Sequence, residues 1–255
     1  MRAAFSEFSY GFAFTYSFLK NLPGIRSAPV LPSLLSEGQQ GGFDLKLDYP
    51  GMPVFFQFKL SDYLIRSNAK LWQFYGRPYY RVEITSLRRS KQHNLLKRLA
   101  TNVTRDVFYA APLFTSAGAF NQAFLADEVD ARSAWISLER LPYLKDYGQH
   151  YVTFADPHRP KWNTTEPPEE LDADFSSEHL LADVRRRIET RNIPEITRSY
   201  LERLREDLTG IVRAEELTTL VPQFRTSVDR PELLRDIQFL LTTFLNASMV
   251  ILQPA

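Results

Sequence analysis

The sequence contains no cysteine among its 255 residues. This excludes a disulfide framework, a zinc–cysteine site, a thiolate nucleophile and a thiol redox centre. It also has no apolar run near the roughly 18 residues that indicate a membrane span. Residues 1–22 carry Glu7 and two tyrosines where a signal peptide needs an apolar core. We therefore expect a cytoplasmic protein without membrane contact.

Several catalytic motifs are also missing. The glycine pattern GxGxxG of dinucleotide-binding folds, the phosphate loop GxxxxGK[ST] and the serine-hydrolase motif GxSxG do not occur. The four histidines, at positions 93, 150, 158 and 179, do not fall at the spacing of metal ligands. Nucleotide-dependent, serine-hydrolase and zinc chemistry are therefore disfavoured.

The net charge is only +1, but the basic residues are concentrated in one region. From Lys59 to Arg105 there are 11 basic residues against two acids, Asp62 and Glu83. Such a surplus can hold a polyanion by displacing its counterions. A solvated basic face without a partner explains the same charge equally well. Charge alone does not decide between the two.

The periodicity of apolar residues predicts an α/β fold. Phe5, Phe8, Phe12, Tyr16 and Leu19 recur at helical spacing and predict a helix over 3–22, although Gly11 weakens the pattern. Proline, serine and glycine predict a loop over 25–41. The further predicted elements are a hairpin over 42–49 and 54–60, strands at 81–84, 106–112, 134–138 and 151–154, and helices at 90–102 and 117–125.

A change in composition predicts three parts of the chain. Residues 1–155 form the α/β core, and residues 156–174, with four prolines and six acids, form a linker or long loop. Residues 175–255 are predicted as a helical region, with helices ending at 191, 208 and 246. The apolar face over 233–245 is a candidate surface for packing on the core, for a homodimer or for a partner protein.

The predicted hairpin carries charged and amide side chains among apolar residues. The residues that share its polar face are Asp44, Lys46 and Asp48 on the first strand and Phe55, Gln57 and Lys59 on the second. A turn centred between residues 51 and 52 would place Asp44 opposite Lys59. If this face is buried, Lys59 needs a carboxylate, a metal site or a phosphate nearby. If it meets solvent, the cross-strand ion pair contributes under about 1 kcal/mol.

The spacing of Asp44 to Gln57-Phe58-Lys59, with Glu7 on a preceding helix, resembles the PD-(D/E)XK nuclease superfamily. The resemblance covers residues 3–140 and is greatest to the Mrr-like branch, in which the second acid is commonly glutamine. The chain departs from the pattern at Phe43, where the family name has proline, and at Gln57, an amide in place of an acid. The resemblance implies a restriction-endonuclease-like mixed sheet flanked by helices.

The resemblance also implies a metal-dependent nuclease that hydrolyses phosphodiester bonds, in DNA rather than RNA, in restriction or defence. Asp44, the side chain of Gln57 and the backbone carbonyl of Phe58 would hold Mg²⁺ or Mn²⁺. Lys59 would position or help to deprotonate the water, and Glu7 would be an outer ligand. Glu7 has a second interpretation as an acid that the helix dipole favours at an N-terminus.

The helix at 90–102 and the residues just before it supply candidate contacts to nucleic acid. These are Arg88, Arg89, Lys91, Gln92, Lys97 and Arg98. A solvated helix face is the alternative for Gln92, and His93 is expected at the surface. Tyr75, Tyr79 and Tyr80 alternate with basic residues, a mixture that suits single-strand binding and, equally, packing.

Two rival functions remain open. The chain is either catalytically inactive, with a nuclease fold that binds nucleic acid or a partner protein, or a structural subunit whose basic face meets an acidic protein. If the first holds, substitution of Asp44 and Lys59 would leave binding intact and remove no measurable activity. The second predicts little salt-sensitive binding to DNA at all.

Overall fold

The computed structural model describes residues 1–21, 25–30, 51–163, 168–171, 182–183, 186–187, 189–190, 194–215, 221–224 and 229–254, with the backbone alone at 25–30. Its helices are α1 (Glu7–Lys20), α2 (Trp72–Tyr75), α3 (Gln92–Asn102), α4 (Ala117–Leu125), α5 (Arg198–Ala214), α6 (Arg230–Leu240) and a π-helical turn (Leu241–Leu245). Its strands are β1 (Ile25–Val30), β2 (Met52–Phe58), β3 (Ser61–Leu64), β4 (Tyr79–Ile84), β5 (Val107–Pro112), β6 (Ser133–Ser137), β7 (His150–Phe154), β8 (Lys161–Asn163), β9 (Glu169–Glu170) and β10 (Ser248–Pro254).

The strands form two five-stranded sheets. The first has the order β1-β10-β2-β5-β6, and the second has the order β3-β4-β7-β8-β9. In the first sheet β2 and β5 are parallel, while every other pair in either sheet is antiparallel. The predicted class, a mixed α/β protein with sheets flanked by helices, is confirmed.

Strand β2 is the centre of the first sheet and is buried along almost its whole length. Its successive side chains point to opposite faces. Phe56 packs with Phe14, Phe18 and Trp135 on the face that α1 covers. Phe55 belongs to the larger cluster on the other face, with α3, α5 and α6. A strand with helices on both faces needs apolar residues at consecutive positions, which the sequence MPVFFQF supplies.

Helix α1 begins at Ser6, whose side chain accepts a hydrogen bond from the backbone N–H of Ser9. The helix is shorter at both ends than the predicted 3–22. Gly11 is required where α1 crosses β2, because an added Cβ would lie 2.6 Å from the ring of Phe58. The glycine that weakened the helical pattern therefore permits the close packing of α1 on the sheet.

The predicted hairpin of residues 42–49 with 54–60 is wrong over the centre of β2. Phe55 pairs with Met249 on one side and Val107 on the other, and Phe56 is likewise paired on both sides. Both sides of β2 are therefore occupied at the two positions where the predicted register required a hairpin partner. Residues 42–49 themselves lie outside the described part of the chain.

The strand that occupies this place, β10, comes from the far end of the sequence. It lies between β1 and β2 and is antiparallel to both. The prediction of a helical region over 175–255 is therefore wrong at its end, and that of a loop over 25–41 is wrong at β1. Val250, Ile251 and Leu252 are buried in β10, as suits a strand with a core on both sides.

The second sheet extends into the segment predicted as a linker. Strands β8 and β9 lie within residues 156–174, and Trp162 of β8 is buried. Strand β8 is only three residues long, so the surrounding prolines and acids dominate the composition of this segment. The composition therefore suggested a loop. The division into parts at 1–155, 156–174 and 175–255 stays a prediction.

The helices after residue 194 follow the sequence signals for helix starts. Thr197 caps α5 through a hydrogen bond from the backbone N–H of Tyr200, and Asp229 caps α6 just before Pro231. The π-helical turn ends at Asn246, whose φ of 48° reverses the chain into β10. Most of the helix predicted to end at residue 191 lies outside the described residues.

Candidate functional site

Two polar side chains lie at the carboxyl end of β2, where the surrounding residues are apolar. Gln57 is 1% exposed and Lys59 is 8% exposed. They are two residues apart on an extended segment, so both point to the face covered by α3. Polar groups buried in this way require partners, and their partners define what the site can do.

The amide of Gln57 has one partner and one free atom. Its Nε2 donates a hydrogen bond to Oε1 of Gln92, the first residue of α3, across 3.3 Å. Its Oε1 is buried and has no partner in the described part of the chain. An unpaired buried amide oxygen is a ready acceptor for a water or a ligand for a hard cation.

Lys59 is a buried ammonium without an ion pair among the described residues. Its Nζ lies 3.4 Å from Oγ1 of Thr85 and 5.7 Å from the centre of the Tyr109 ring. Burial lowers the pKa of Lys59, while the charges of Glu7 and Glu83 act in the opposite direction. Among the described residues this cation is poorly solvated and only partly compensated, as suits the binding of an anion.

The backbone carbonyl of Phe58 lies beside this pair. The N–H of Phe55 donates to the carbonyl of Asp106, just before β5, and that of Lys59 donates to Ala110 of β5. The alternate residue Phe58 therefore directs its backbone polar groups to the opposite edge of β2. The last pair on that edge joins Phe56 to Ser248 of β10. The Phe58 carbonyl therefore lies beyond the last described pair of β2 with β10.

Glu7 approaches the site from another element. It is the first residue of α1, is exposed, and acts on the charge of Lys59 through space. Its position at a helix N-terminus also suits its carboxylate, because of the helix dipole. Both interpretations of Glu7 are compatible with this position.

Asp44, the predicted main metal ligand, lies outside the described residues. The structure therefore brings together Gln57, Phe58, Lys59 and Gln92, with Glu7 at the edge. The described ranges contain no cluster of three or more His, Cys, Asp or Glu side chains that could hold a metal ion. Of the groups implied for the metal, the amide oxygen of Gln57 and the carbonyl of Phe58 are suitable oxygen donors.

Most of the predicted nucleic-acid contacts on α3 have partners within the chain. Lys91 and Arg98 both bind Glu215 at the end of α5. Lys97 donates to the backbone carbonyl of Glu139. These three cations hold α3 against its neighbours.

Arg88 and Arg89 are different, because they precede α3 and are exposed. Arg89 lies 3.9 Å from Glu83, a long contact between exposed groups. These two arginines are the predicted phosphate contacts that remain accessible.

His93 is buried, so the expectation that it lies at the surface is wrong. Its Nε2 faces the carbonyl oxygen of Pro142 at 2.8 Å, and its Nδ1 faces the hydroxyl of Tyr109 at 2.9 Å. A carbonyl only accepts, so Nε2 carries the proton and Nδ1 accepts from Tyr109. Burial lowers the pKa of His93 to about 4, which keeps the ring neutral.

The same contacts reveal a residue that the sequence analysis missed. The hydroxyl of Tyr109 is hydrogen-bonded to His93, and the face of the Tyr109 ring lies beneath Nζ of Lys59. Tyr109 lies on β5 directly beside Gln57 of β2. The sequence could have indicated Tyr109 as a site residue only if the pairing of these two strands were known.

The tyrosines after Lys70 pack against one another. Tyr75 stacks on Tyr79 with ring centres 4.7 Å apart, and Tyr80 stacks on Tyr63 at 4.5 Å. The hydroxyl of Tyr75 binds Thr153, and that of Tyr80 binds the carbonyl of Leu113. Of the two interpretations of these tyrosines, packing fits these contacts.

Comparison with known proteins gives no match to a protein-family model, to a curated protein or to a solved structure. In the part of the chain that the structure describes, no helix is both long and apolar enough to cross a membrane.

Proposed function

We propose that this chain is a metal-dependent nuclease of the PD-(D/E)XK type, acting on DNA rather than RNA. The observation that carries the proposal is the buried pair on β2: the unpartnered Oε1 of Gln57 and, two residues later, the ammonium of Lys59. One is a free oxygen donor and the other a desolvated cation. A metal cation would be coordinated by the amide oxygen of Gln57, and a phosphate would be bound by the ammonium of Lys59.

The order of elements also supports the proposal. A helix bearing an acid, α1, precedes the strand with the QxK sequence, and α3 and the parallel strand β5 follow it. The sequence resemblance rests on this order together with the hairpin of 42–49 with 54–60, which is wrong over the centre of β2. The C-terminal strand β10 at the edge of β2 is a departure from it.

In the proposed site, Asp44, Oε1 of Gln57 and the carbonyl of Phe58 would hold Mg²⁺ or Mn²⁺. The metal would polarise the phosphodiester and lower the pKa of a bound water. Lys59 holds the attacking water or the scissile phosphate, and its fixed charge opposes the negative charge that develops in the transition state. Gln92 orients the amide of Gln57, and Glu7 limits the loss of charge on Lys59.

Cleavage assays on plasmid DNA, linear DNA and RNA test the proposal, each with Mg²⁺, Mn²⁺ and excess chelator. The variants are Asp44→Asn and Lys59→Met, with Asp48→Asn and the exposed Lys145→Met as matched controls. We expect metal-dependent cutting of DNA that the first two variants lose by at least about 100-fold, the scale typical of one electrostatic group. The control variants should retain it.

Two results would contradict the proposal. Cutting that survives in both Asp44→Asn and Lys59→Met would place the chemistry elsewhere. No cutting by any protein, together with tight and salt-sensitive DNA binding by all of them, would favour an inactive nuclease fold that binds nucleic acid.

A further inference from the structure

Helix α1 carries aromatic side chains on its outer face as well as on its buried face. Tyr10, Phe14 and Phe18 are fully buried against the first sheet. Phe8, Phe12 and Tyr16 are 85%, 61% and 45% exposed, and they recur every four residues, so they form one line along the helix. We call these three residues the outer stripe.

The outer stripe is large for an exposed apolar surface. A whole aromatic side chain presents about 150–250 Å², so three rings exposed to this extent present several hundred Å². Tyr16 also contacts the ring of Phe124, which is next to the largely exposed Leu125. Contiguous apolar surfaces of this size mark interaction sites in soluble proteins.

The charges at the ends of the stripe favour a protein over a nucleic acid. Glu7 directly precedes Phe8. At the other end Lys20 is already paired with Asp127, with Nζ and Oδ2 2.6 Å apart. Two carboxylates and one paired ammonium repel a phosphate backbone, which needs unpaired cations along its path.

The spacing of the stripe makes it complementary to itself. Phe8 and Tyr16 are each four residues from Phe12, or about 6 Å along the axis at the rise of an α-helix. In an antiparallel pair of α1 helices related by a twofold axis at Phe12, Phe8 of each copy would face Tyr16 of the other. Self-complementarity about one axis is what an isologous dimer requires.

The helix dipoles fit the same arrangement. Antiparallel pairing places the N-terminus of each α1 beside the C-terminal half of the other, so the two dipoles oppose each other.

We propose that the outer stripe is the dimer interface of this protein, with two copies of α1 packed antiparallel about an axis at Phe12. A stable interface buries about 800 Å² on each partner. The three rings supply a large part of this area, and Leu125 and the polar ends of α1 border it. The proposal does not depend on the nuclease activity, because the stripe points away from the sheet that carries Gln57 and Lys59.

The absence of cysteine from the sequence gives a direct test. Packed helices have axes about 8–10 Å apart, so the two Phe12 Cα atoms near the axis come within disulfide range. The variant Phe12→Cys of the full chain should form a cross-linked dimer under mild oxidation. Phe239→Cys, at a partly exposed aromatic position on α6, is the matched control and should not.

Sedimentation of the full chain supplies the second measurement. The wild type should sediment as a dimer at micromolar concentration. Phe12→Asp places two carboxylates against each other at the axis, so it should raise the dissociation constant at least about 100-fold; Phe239→Asp should not. Circular dichroism and the melting temperature of each variant check that it is folded.

Three outcomes would overturn the proposal. The first is a wild type that stays monomeric at 100-fold higher concentration. The second is a dimer that Phe12→Asp leaves intact or a cross-link no faster than that of Phe239→Cys, either of which places the interface elsewhere. The third is a monomer in which Phe12→Asp weakens the binding of single-stranded DNA without changing its salt dependence, because this would assign the stripe to base stacking.

Discussion

The side-chain amides of Gln57 and Gln92 are joined by a single hydrogen bond, from Nε2 of the first to Oε1 of the second. Two amides can pair through two hydrogen bonds, but this pair uses one and leaves Oε1 of Gln57 buried and unpartnered. The contact fixes the direction of the free oxygen. It also connects the central strand β2 to the start of α3.

We predict that Gln57→Glu strengthens the binding of metal. The substitution replaces a neutral oxygen donor with a carboxylate, beside an ammonium and an amide donor that can stabilise it. The concentration of Mg²⁺ at half-maximal cleavage should fall about tenfold, as expected for one added charged ligand. In the wild type, Mn²⁺ should support faster cleavage than Mg²⁺ because it binds mixed sites more tightly.

Gln57→Met is the control, since it keeps the volume and removes the oxygen. It should abolish metal-dependent cleavage while leaving the melting temperature near that of the wild type. An unchanged Mg²⁺ requirement in Gln57→Glu, with normal cleavage in Gln57→Met, would exclude Gln57 as a ligand.

The buried His93 should make the stability of the protein depend on pH. Burial lowers its pKa in the folded state to about 4, whereas the unfolded chain keeps a value near 6.5. Between these values the unfolded chain binds a proton that the folded protein does not, so stability falls as the pH falls from 6.5 to 4. Above pH 6.5 this contribution is constant.

The loss over that window is about 3 kcal/mol for a shift of this size. Urea unfolding of the wild type and of His93→Gln at several pH values measures it. The difference in unfolding free energy between the two should shrink by that amount toward pH 4. His158→Gln, at an exposed histidine, should follow the wild type; a parallel curve for His93→Gln would show that His93 is not the titrating group.

Local patterns in the sequence identified most of the elements. Leu95, Leu96 and Leu99 are buried on α3 as their spacing indicates, and β5 is buried along its whole length as its apolar run predicts. Both signals are local, because an amphipathic helix and a buried strand reveal themselves within about ten residues.

The errors concern pairing between distant parts of the chain. The alternation over 42–49 and 54–60 suggested a hairpin, but β2 pairs with β10, almost 200 residues later. Alternation indicates a strand and does not specify its neighbour. For the same reason Gln57 and Lys59 were found from their spacing on one strand, whereas the role of Tyr109 in lining the site depends on the pairing of β2 with β5.

Among the described residues, the buried carboxylate of Asp106 has one cationic partner, Arg187. Arg187 donates from Nη1 to Oδ2 of Asp106 across 2.9 Å, and burial nevertheless raises the pKa of Asp106. Arg187→Ala would leave this carboxylate buried and unpaired, so it should lower the unfolding free energy by about 3 kcal/mol. Urea unfolding at pH 7 measures the change.

The neighbouring Arg186 is a matched control, because its guanidinium is largely exposed and binds only Asp183 among the described groups. Arg186→Ala should cost under about 1 kcal/mol. The double variant Asp106→Asn/Arg187→Met should recover most of the stability lost in Arg187→Ala. Equal losses for the two single arginine variants would contradict a structural role for the Asp106–Arg187 pair.

The arginines before α3 and those within it should differ in their effect on DNA binding. Arg88 and Arg89 are exposed, whereas Arg98 is bound to Glu215. Each phosphate contact contributes about 0.9 to the slope of log K against log salt concentration. The double variant Arg88→Ala/Arg89→Ala should therefore reduce this slope by about 1.8, and Arg98→Ala should leave it unchanged while lowering the melting temperature.

Fluorescence anisotropy with a labelled duplex over a range of salt concentrations, with chelator present to prevent cleavage, measures the slopes. A reduced slope in Arg98→Ala, at unchanged stability, would mean that Arg98 leaves Glu215 to bind phosphate, and that the basic surface extends along α3.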